Sequence, residues 1–426
     1  MRNILKLLFF GVVVLLLGCN KSDENIDPIK DSISQSLEKW LAKPVEEREA
    51  LESLDFSTKS LTKSRAENVT ALLFQDLQAT MISNYEQQWN NRKLIYKDYS
   101  MPFYYQIFGD KPSDGRSLFI SLHGGGSTTI SVNDQQYNNQ KHLYDQTMNT
   151  IEGVYLAPRA PSNTWDLWHK NHIDNFLNII IQMAVAIENV NPNKVYLLGY
   201  SAGGDGVYQL APRMADRWAA AAMMAGHPNE TSPLGLKNTP FAIHVGALDN
   251  VYNRNIKAQE WKIMLDDLES SAPETYTHDV QLHDGLGHWM GLEDAVALPW
   301  MKNYKRKPIA QKIVWKQDNR HHSSFYWIGI PENLIETGGE IIVEYNTQLN
   351  EINIISNYSN IIQLYMNDKM LNLNDPVTIK YQGNVISQKI FNRTILNIHE
   401  TLSTKGDSEL SFSCIISVIN NETIQE

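Results

Sequence analysis

Two glycine-rich patterns in this chain have the residue types needed to attack and stabilise a carbonyl carbon. Val195-Tyr196-Leu197-Leu198-Gly199-Tyr200-Ser201-Ala202-Gly203-Gly204 is an apolar strand pattern running into Gly-x-Ser-x-Gly and then into helical text. So tight a turn needs small residues at Gly199 and Gly203, and it forces Ser201 out at the carboxyl edge of a sheet. There its hydroxyl meets a helix N-terminus, whose dipole favours developing negative charge. Upstream by 75 residues, Leu118-Phe119-Ile120-Ser121-Leu122 leads into His123-Gly124-Gly125-Gly126. Glycines let backbone N–H groups turn toward a substrate oxygen, so Gly125 or Gly126 together with Ala202 can form an oxyanion hole.

A serine needs a base, and the base needs an orienting acid. Phe241-Ala242-Ile243-His244-Val245 reads as a strand ending in Gly246-Ala247-Leu248-Asp249, which places Asp249 in a loop 48 residues after Ser201. Asp279 to Leu282 reads as another strand, followed by His283-Asp284-Gly285-Leu286-Gly287-His288-Trp289, which places His288 in a loop 39 residues further on. Asp249 is the candidate acid and His288 the candidate base. His244, His278 and His283 lie in or beside strands and read as structural. Asp266 and Asp267 fall in helical text, Glu293 follows the histidine, and Asp284 is too near its own histidines to orient them.

Trp165, Trp168 and His169, in the loop beyond an earlier strand, and His123 are candidate substrate contacts, with loop packing as the competing role for the tryptophans. His169 and His172 stand three apart, a spacing common by chance, and no metal site is assigned to them. Asp205, just inside the helix after Ser201, reads as an electrostatic complement to that helix.

These residues need a rigid frame. Apolar runs at Ser117 to Leu122, Gly153 to Ala157, Lys194 to Gly199, Ala219 to Ala225, Pro240 to Val245 and Thr277 to Leu282 alternate with amphipathic stretches. The clearest helix is Phe176 to Val190, with Asp174 as N-cap and Asn191-Pro192-Asn193 as stop. Continuous apolar strands spaced by helices imply a doubly wound, mostly parallel α/β sheet covered on both faces. Lys93 to Tyr96 and Phe103 to Ile107 predict a hairpin before it, preceded by helical text carrying Leu72, Leu73, Leu77 and Met81. Beyond Ala310, β-branched alternating text at Lys312 to Trp315, Ser324 to Ile330, Glu340 to Tyr345, Ile352 to Ile355, Ile361 to Tyr365, Val377 to Tyr381 and Glu409 to Val418 predicts a separate β-rich module.

With 37 Lys+Arg against 48 Asp+Glu the net charge is −11, and no basic patch is segregated, so nucleic acid is excluded as a partner. Of the two cysteines, Cys19 and Cys414, the second lies in a strand pattern as a small hydrophobe. Met1 to Lys6 carries Arg2 and Lys6, and Leu7 to Leu17 is apolar but too short to span a bilayer. This reads as a secretory leader. It ends in Leu16-Leu17-Gly18-Cys19, which resembles the bacterial lipobox, implying cleavage before Cys19 and acylation of its sulfur. The following Asn20-Lys21-Ser22-Asp23-Glu24 resembles the export signal of surface lipoproteins. The expected organisation is a leader over 1–18, a tether over 19–28, a helical lead-in over 29–90, a catalytic domain over 91–307 and the β-rich module over 308–426. The expected location is extracytoplasmic, lipid-anchored to a bacterial outer membrane, the membrane being contacted through the anchor alone.

From about 90 to 305 the chain resembles the α/β-hydrolase superfamily. The nearest groups are esterase-like members related to dienelactone hydrolase, poly(3-hydroxybutyrate) depolymerase and prolyl oligopeptidase catalytic domains. The motifs that carry the resemblance are His123-Gly124-Gly125-Gly126, Gly199-Tyr200-Ser201-Ala202-Gly203-Gly204, Gly246-Ala247-Leu248-Asp249 and Gly287-His288-Trp289. It implies an α/β-hydrolase fold and a serine hydrolase without cofactor or metal, and it does not name the substrate; the expected activity is cleavage of carboxylic esters, on small molecules or polymers, of a carbohydrate or another environmental ester. A serine peptidase and a polysaccharide-binding lipoprotein with a vestigial site are the alternatives. Dienelactone hydrolase itself carries cysteine where this chain has Ser201, so that activity is not implied, and no propeller domain stands upstream, which weakens a strict oligopeptidase reading.

Overall fold

The computed structural model describes residues 28–420 and 422–425. The expected leader, Cys19 and the tether up to residue 27 lie outside the described residues. The chain divides into two compact units, Met1–Arg48 and Glu49–Glu426. In the first, α1 (Pro28–Leu41) buries Ile33, Leu37 and Trp40, one helical face at spacings of four and three. The helical lead-in therefore falls in both units. Its second helix, α2 (Lys63–Asn90), starts at an N-cap, Thr62, whose side chain accepts from Arg65 N–H, and buries Val69, Leu73 and Trp89. Leu72, counted with the apolar set, is exposed.

Eight strands build the main sheet: β1 (Lys93–Tyr96), β2 (Tyr99–Phe108), β3 (Arg116–Leu122), β4 (Gly153–Pro158), β5 (Val190–Tyr200), β6 (Ala220–Met224), β7 (Phe241–Gly246) and β8 (His278–His283). Their order is β1-β2-β4-β3-β5-β6-β7-β8. The β1–β2 hairpin and the β2–β4 pairing are antiparallel, and every pairing from β4 to β8 is parallel. This is the α/β-hydrolase fold that the resemblance implied.

The connections carry α3 (Ile130–Gln140), α4 (Asp145–Met148), α5 (Asn171–Ile187), α6 (Ala202–Arg213), α7 (Arg254–Ser271) and α8 (Ala297–Met301). Strand alternation sorts the core into two faces. Leu118, Ile120, Leu122 and Leu197 pack with α5, α6 and α7, whereas Phe119, Tyr196 and Leu198 pack with α4 and α8. A parallel sheet also sends every strand's carboxyl end to one edge, so the loops after β3, β5, β7 and β8 converge there.

One expectation fails at α5. The helix starts at Asn171, so Asp174 lies within its first turn and is not its N-cap, and it stops at Ile187. Asn191-Pro192-Asn193 belongs to β5. The carboxylate of Asp174 instead takes two hydrogen bonds, at 3.0 and 2.6 Å, from Arg213 at the end of α6. A distant charge outcompetes the local cap, because a buried guanidinium needs a carboxylate more than a helix end does.

The C-terminal region holds β9 (Lys312–Lys316), β10 (Ser324–Phe325), β11 (Ile328–Gly329), β12 (Glu340–Asn346), β13 (Glu351–Ser356), β14 (Ile361–Met366), β15 (Val377–Tyr381), β16 (Asn384–Lys389), α9 (Ile395–Lys405), β17 (Cys414–Ile419) and β18 (Glu422–Gln425). Two five-stranded sheets, β10-β11-β14-β17-β18 and β16-β15-β13-β12-β9, close on an apolar cluster that includes Trp315, Trp327, Ile341, Leu364, Ile379 and Cys414. The strand expected over Ser324 to Ile330 is broken into β10 and β11 by Tyr326 at φ 50°. The one expected over Glu409 to Val418 begins as a 3-10 turn, Ser408–Leu410. Helix α9 was missed although Thr394 caps it and Ile395, Ile398 and Leu402 repeat along one face. Strand β16 was missed because it is mostly exposed and polar.

Polar pairs link this region to the helices and loops that cover the main sheet. His322 Nε2 stands 2.8 Å from Asp174, Lys405 Nζ 2.8 Å from Asp216, and Arg306 Nη1 2.6 Å from Asp407. Burial alone would raise the Asp174 and Asp407 carboxyls, but Arg213 and Arg306 hold them below the usual range. Removing one partner of such a pair leaves the other charged and dry, at a cost of about 3–5 kcal/mol.

Candidate active site

Ser201 sits between β5 and α6 with φ 57° and ψ −121°, a backbone state that costs an L-residue on the order of 1–3 kcal/mol. The surrounding packing imposes it. A Cβ on Gly199 would overlap the carbonyl of Gly203, and one on Gly203 would overlap the carbonyl of Leu122. The N–H of Ser201 donates to Met224 O at 2.9 Å, and its carbonyl accepts from Asp205 N–H at 2.9 Å.

The three residues separated along the chain meet at this edge. His288 Nδ1 lies 2.7 Å from Asp249 Oδ2, and His288 Nε2 lies 3.0 Å from Ser201 Oγ. A carboxylate only accepts, so Nδ1–H is the donor and Nε2 is left to accept from the serine hydroxyl. The Asp249 side chain is 1% exposed and that of His288 is 42% exposed, so the carboxylate is dry and the imidazole is open to solvent. Asp249 Oδ1 is buried without a hydrogen bond, with Arg254 Nη1 at 3.7 Å.

The Asp249 and His288 loops are joined through their backbones. Leu248 N–H donates to Leu286 O and Ala247 N–H to His283 O, both at 2.9 Å. A Cβ on Gly246 would overlap the carbonyl of Gly287. Tyr200 then ties both to the Ser201 turn: its hydroxyl donates to His288 O at 2.7 Å and accepts from Met290 N–H at 3.0 Å. Its position inside Gly-x-Ser-x-Gly gave no hint of this, because the partners arrive from 88 and 90 residues away.

The oxyanion-hole candidates separate. Ala202 N–H belongs to the first residue of α6 and has no intrahelical acceptor. Gly125, at φ 109°, leaves its N–H without a hydrogen bond among the described residues, whereas Gly126 N–H donates to Asn133 Oδ1 at 2.9 Å. That bond withdraws Gly126 and leaves Gly125 with Ala202.

Two expected substrate contacts are structural. His123 is buried, its Nδ1 donating to Gly124 O at 2.6 Å and its Nε2 accepting from Ala160 N–H at 3.1 Å. Trp168 is buried and donates from Nε1 to His123 O at 2.9 Å. Both brace the glycine loop. Trp165 is 57% exposed, and its ring meets the buried His169 edge-on at 5.2 Å. His172 turns elsewhere, stacked on Tyr99 at 3.8 Å. Asp205 accepts from His227 N–H at 2.6 Å, and loss of hydration pushes its carboxyl up to about 6. The set-aside histidines behave as expected: His244 and His283 face each other at 3.1 Å, and His278 pairs with Asp266 at 2.9 Å.

Burial lowers His123 and His169 to about 4 and His244 to about 3, against about 6.5 in the unfolded chain. The unfolded chain thus takes up protons first as pH falls, so the stability these residues contribute is whole above pH 6.5 and is lost on the way down to about 4. Asp205, raised to about 6 by loss of hydration, opposes them below that pH, and burial shifts Asp294 and Asp318 in the same upward direction. His172 and His227 add to the loss. The expected net result is a fall of roughly 1–3 kcal/mol per pH unit between pH 6.5 and 4.5, read from urea midpoints across that range. A flat profile would contradict it.

No family model and no curated protein matches the chain. Among solved structures it is similar to a thermostable esterase at 16% identity, over 50% of this chain and 62% of that one, with a TM-score of 0.39. An acetyl xylan esterase from Aspergillus awamori is 13% identical over 47% of this chain and 93% of that one, TM-score 0.36. A ferulic acid esterase is 16% identical over 50% and 96%, TM-score 0.36.

Proposed function

We propose that the protein is a serine hydrolase that cleaves carboxylic esters through an acyl-enzyme on Ser201. One observation carries the reading: the Ser201–His288–Asp249 hydrogen-bonded chain, with the tautomer fixed by a dry carboxylate. Ser201 Oγ attacks the ester carbonyl carbon as its proton passes to His288 Nε2. The oxygen takes the negative charge facing Gly125 and Ala202 N–H. The carbon–oxygen bond to the alcohol then breaks, and His288 returns the proton to the departing alcohol. Water repeats the sequence on the acyl-enzyme, releasing the acid and restoring Ser201. Asp249 orients the imidazole and compensates its charge.

The substrate proposed is an ester borne on a carbohydrate or another environmental polymer. Trp165, Tyr252 and Trp289, each more than half exposed, stand on the loops that flank or carry Ser201, Asp249 and His288. Exposed aromatic faces beside an open imidazole suit a large, flat substrate. The leader over 1–18 and acylation of Cys19 are proposed from the sequence pattern alone, placing the enzyme outside the cytoplasm on a lipid anchor.

A fluorophosphonate probe tests the chemistry. The expected result is one adduct, on Ser201 by mass spectrometry, together with turnover of acetyl esters and little turnover of peptide amides. A folded protein that stays unlabelled would reject the reading, and preference for amides would reject its ester half.

A further inference from the structure

Helix α3 is built the wrong way round for an ordinary surface helix. Its apolar residues Ile130 and Val132 are exposed, while Asn133 and Gln140 are buried and Gln136 is half-buried on the same side, at spacings of three and four. Turning carboxamides inward is unfavourable unless each finds a partner. Two do. Asn133 accepts from Gly126 N–H and donates to Thr129 O at 3.1 Å, and Gln140 Nε2 donates to Ser121 Oγ at 2.6 Å. The Gln136 carboxamide makes no hydrogen bond within the described residues.

Its position leaves that amide open to a partner in the site. The point where a Cβ on Gly124 would stand lies 3.4 Å from Gln136 Oε1, 3.2 Å from Ser201 Cβ and 3.3 Å from Tyr200 O. The space that Gly124 leaves free of a side chain thus has the Ser201 Cβ and the Gln136 amide both at its edge. A carboxamide offers a donor and an acceptor, and so does a hydroxyl, so the two pair in both directions.

We propose that Gln136 is a specificity-determining residue, its carboxamide beside Ser201 binding a hydroxyl on the carbon adjacent to the one that bears the ester oxygen, in the alcohol half of the substrate. The enzyme then selects monoesters of vicinal diols, the chemistry of a partly acylated sugar, over esters of simple alcohols. A substrate lacking that hydroxyl covers the amide without satisfying it, which raises its barrier. This inference rests on the ester-hydrolase reading above and names the substrate class for the same site.

The test compares ethylene glycol monoacetate with ethyl acetate, which differ by one hydroxyl, on the full chain and on Gln136→Leu and Gln136→Met. In the unaltered enzyme the glycol ester is expected to be favoured in kcat/KM by about 10- to 100-fold after correction for its intrinsic reactivity. In both variants that preference is expected to collapse to within about threefold, the glycol ester losing its partner and ethyl acetate no longer leaving an amide unsatisfied, and a urea midpoint close to the parent's reports that the variants are folded. A preference that survives both substitutions overturns the proposal, and so does an equal loss on the two esters. If neither ester is turned over and Ser201 takes no fluorophosphonate, the hydrolase reading itself has failed, an outcome distinct from either of these.

Discussion

Replacing Ser201 with alanine is expected to lower kcat on 4-nitrophenyl acetate by about 10⁴- to 10⁶-fold and to abolish fluorophosphonate labelling. Without Oγ no acyl-enzyme forms, and what remains is the effect of two N–H groups, Gly125 and Ala202, on attack by water. The variant should remain folded. Alanine occupies the φ 57° turn at much the same backbone cost as serine, and its Cβ adds nothing between Gly199 and Gly203, whose own close approaches set the geometry. The urea midpoint is therefore expected to stay within about 0.5 kcal/mol of the parent. Activity within tenfold of the parent would mean that another group attacks the ester.

Asp249→Asn is expected to cost about 10⁴-fold in kcat with little change in KM. Asp249 Oδ2 accepts from His288 Nδ1–H across 2.7 Å, and this leaves Nε2 free to take the serine proton. An asparagine amide can present an N–H there instead, which reverses the tautomer and puts a proton on the nitrogen that must accept one. The charge is lost as well. Asp249 Oδ1 has no hydrogen bond, so Arg254 Nη1 at 3.7 Å would be left facing a neutral amide in a dry setting. The readout is kcat together with the rate of fluorophosphonate labelling, which should slow in parallel because both need the same proton transfer. If kcat falls while labelling keeps its rate, the acid acts at a later step than the one assigned here.

Both predictions concern residues that the sequence identified, for a local physical reason. A strand entering a helix through Gly-x-Ser-x-Gly admits one backbone path, and Gly246 and Gly287 mark where two loops must touch. Strand continuity and loop glycines are short-range properties, so the parallel sheet, the β1–β2 hairpin, Ser201, Asp249 and His288 were all legible from neighbours in the chain. Helix α9 was legible too, in its cap and its repeat.

Only the folded chain decided how polar groups would be shared. Asp174 looked like a cap until Arg213, 39 residues away, claimed it. Gly126 looked like an oxyanion donor until Asn133 took its N–H, and His123 and Trp168 looked like substrate contacts until they turned inward to brace the glycine loop. Gln136 and Tyr200 carried no signal, because their positions matter only relative to groups that tertiary packing delivers. Backbone shape and apolar periodicity are written in adjacent residues. The pairing of buried donors and acceptors is a competition among groups far apart in sequence, and it is settled only when packing excludes water and each must find a partner.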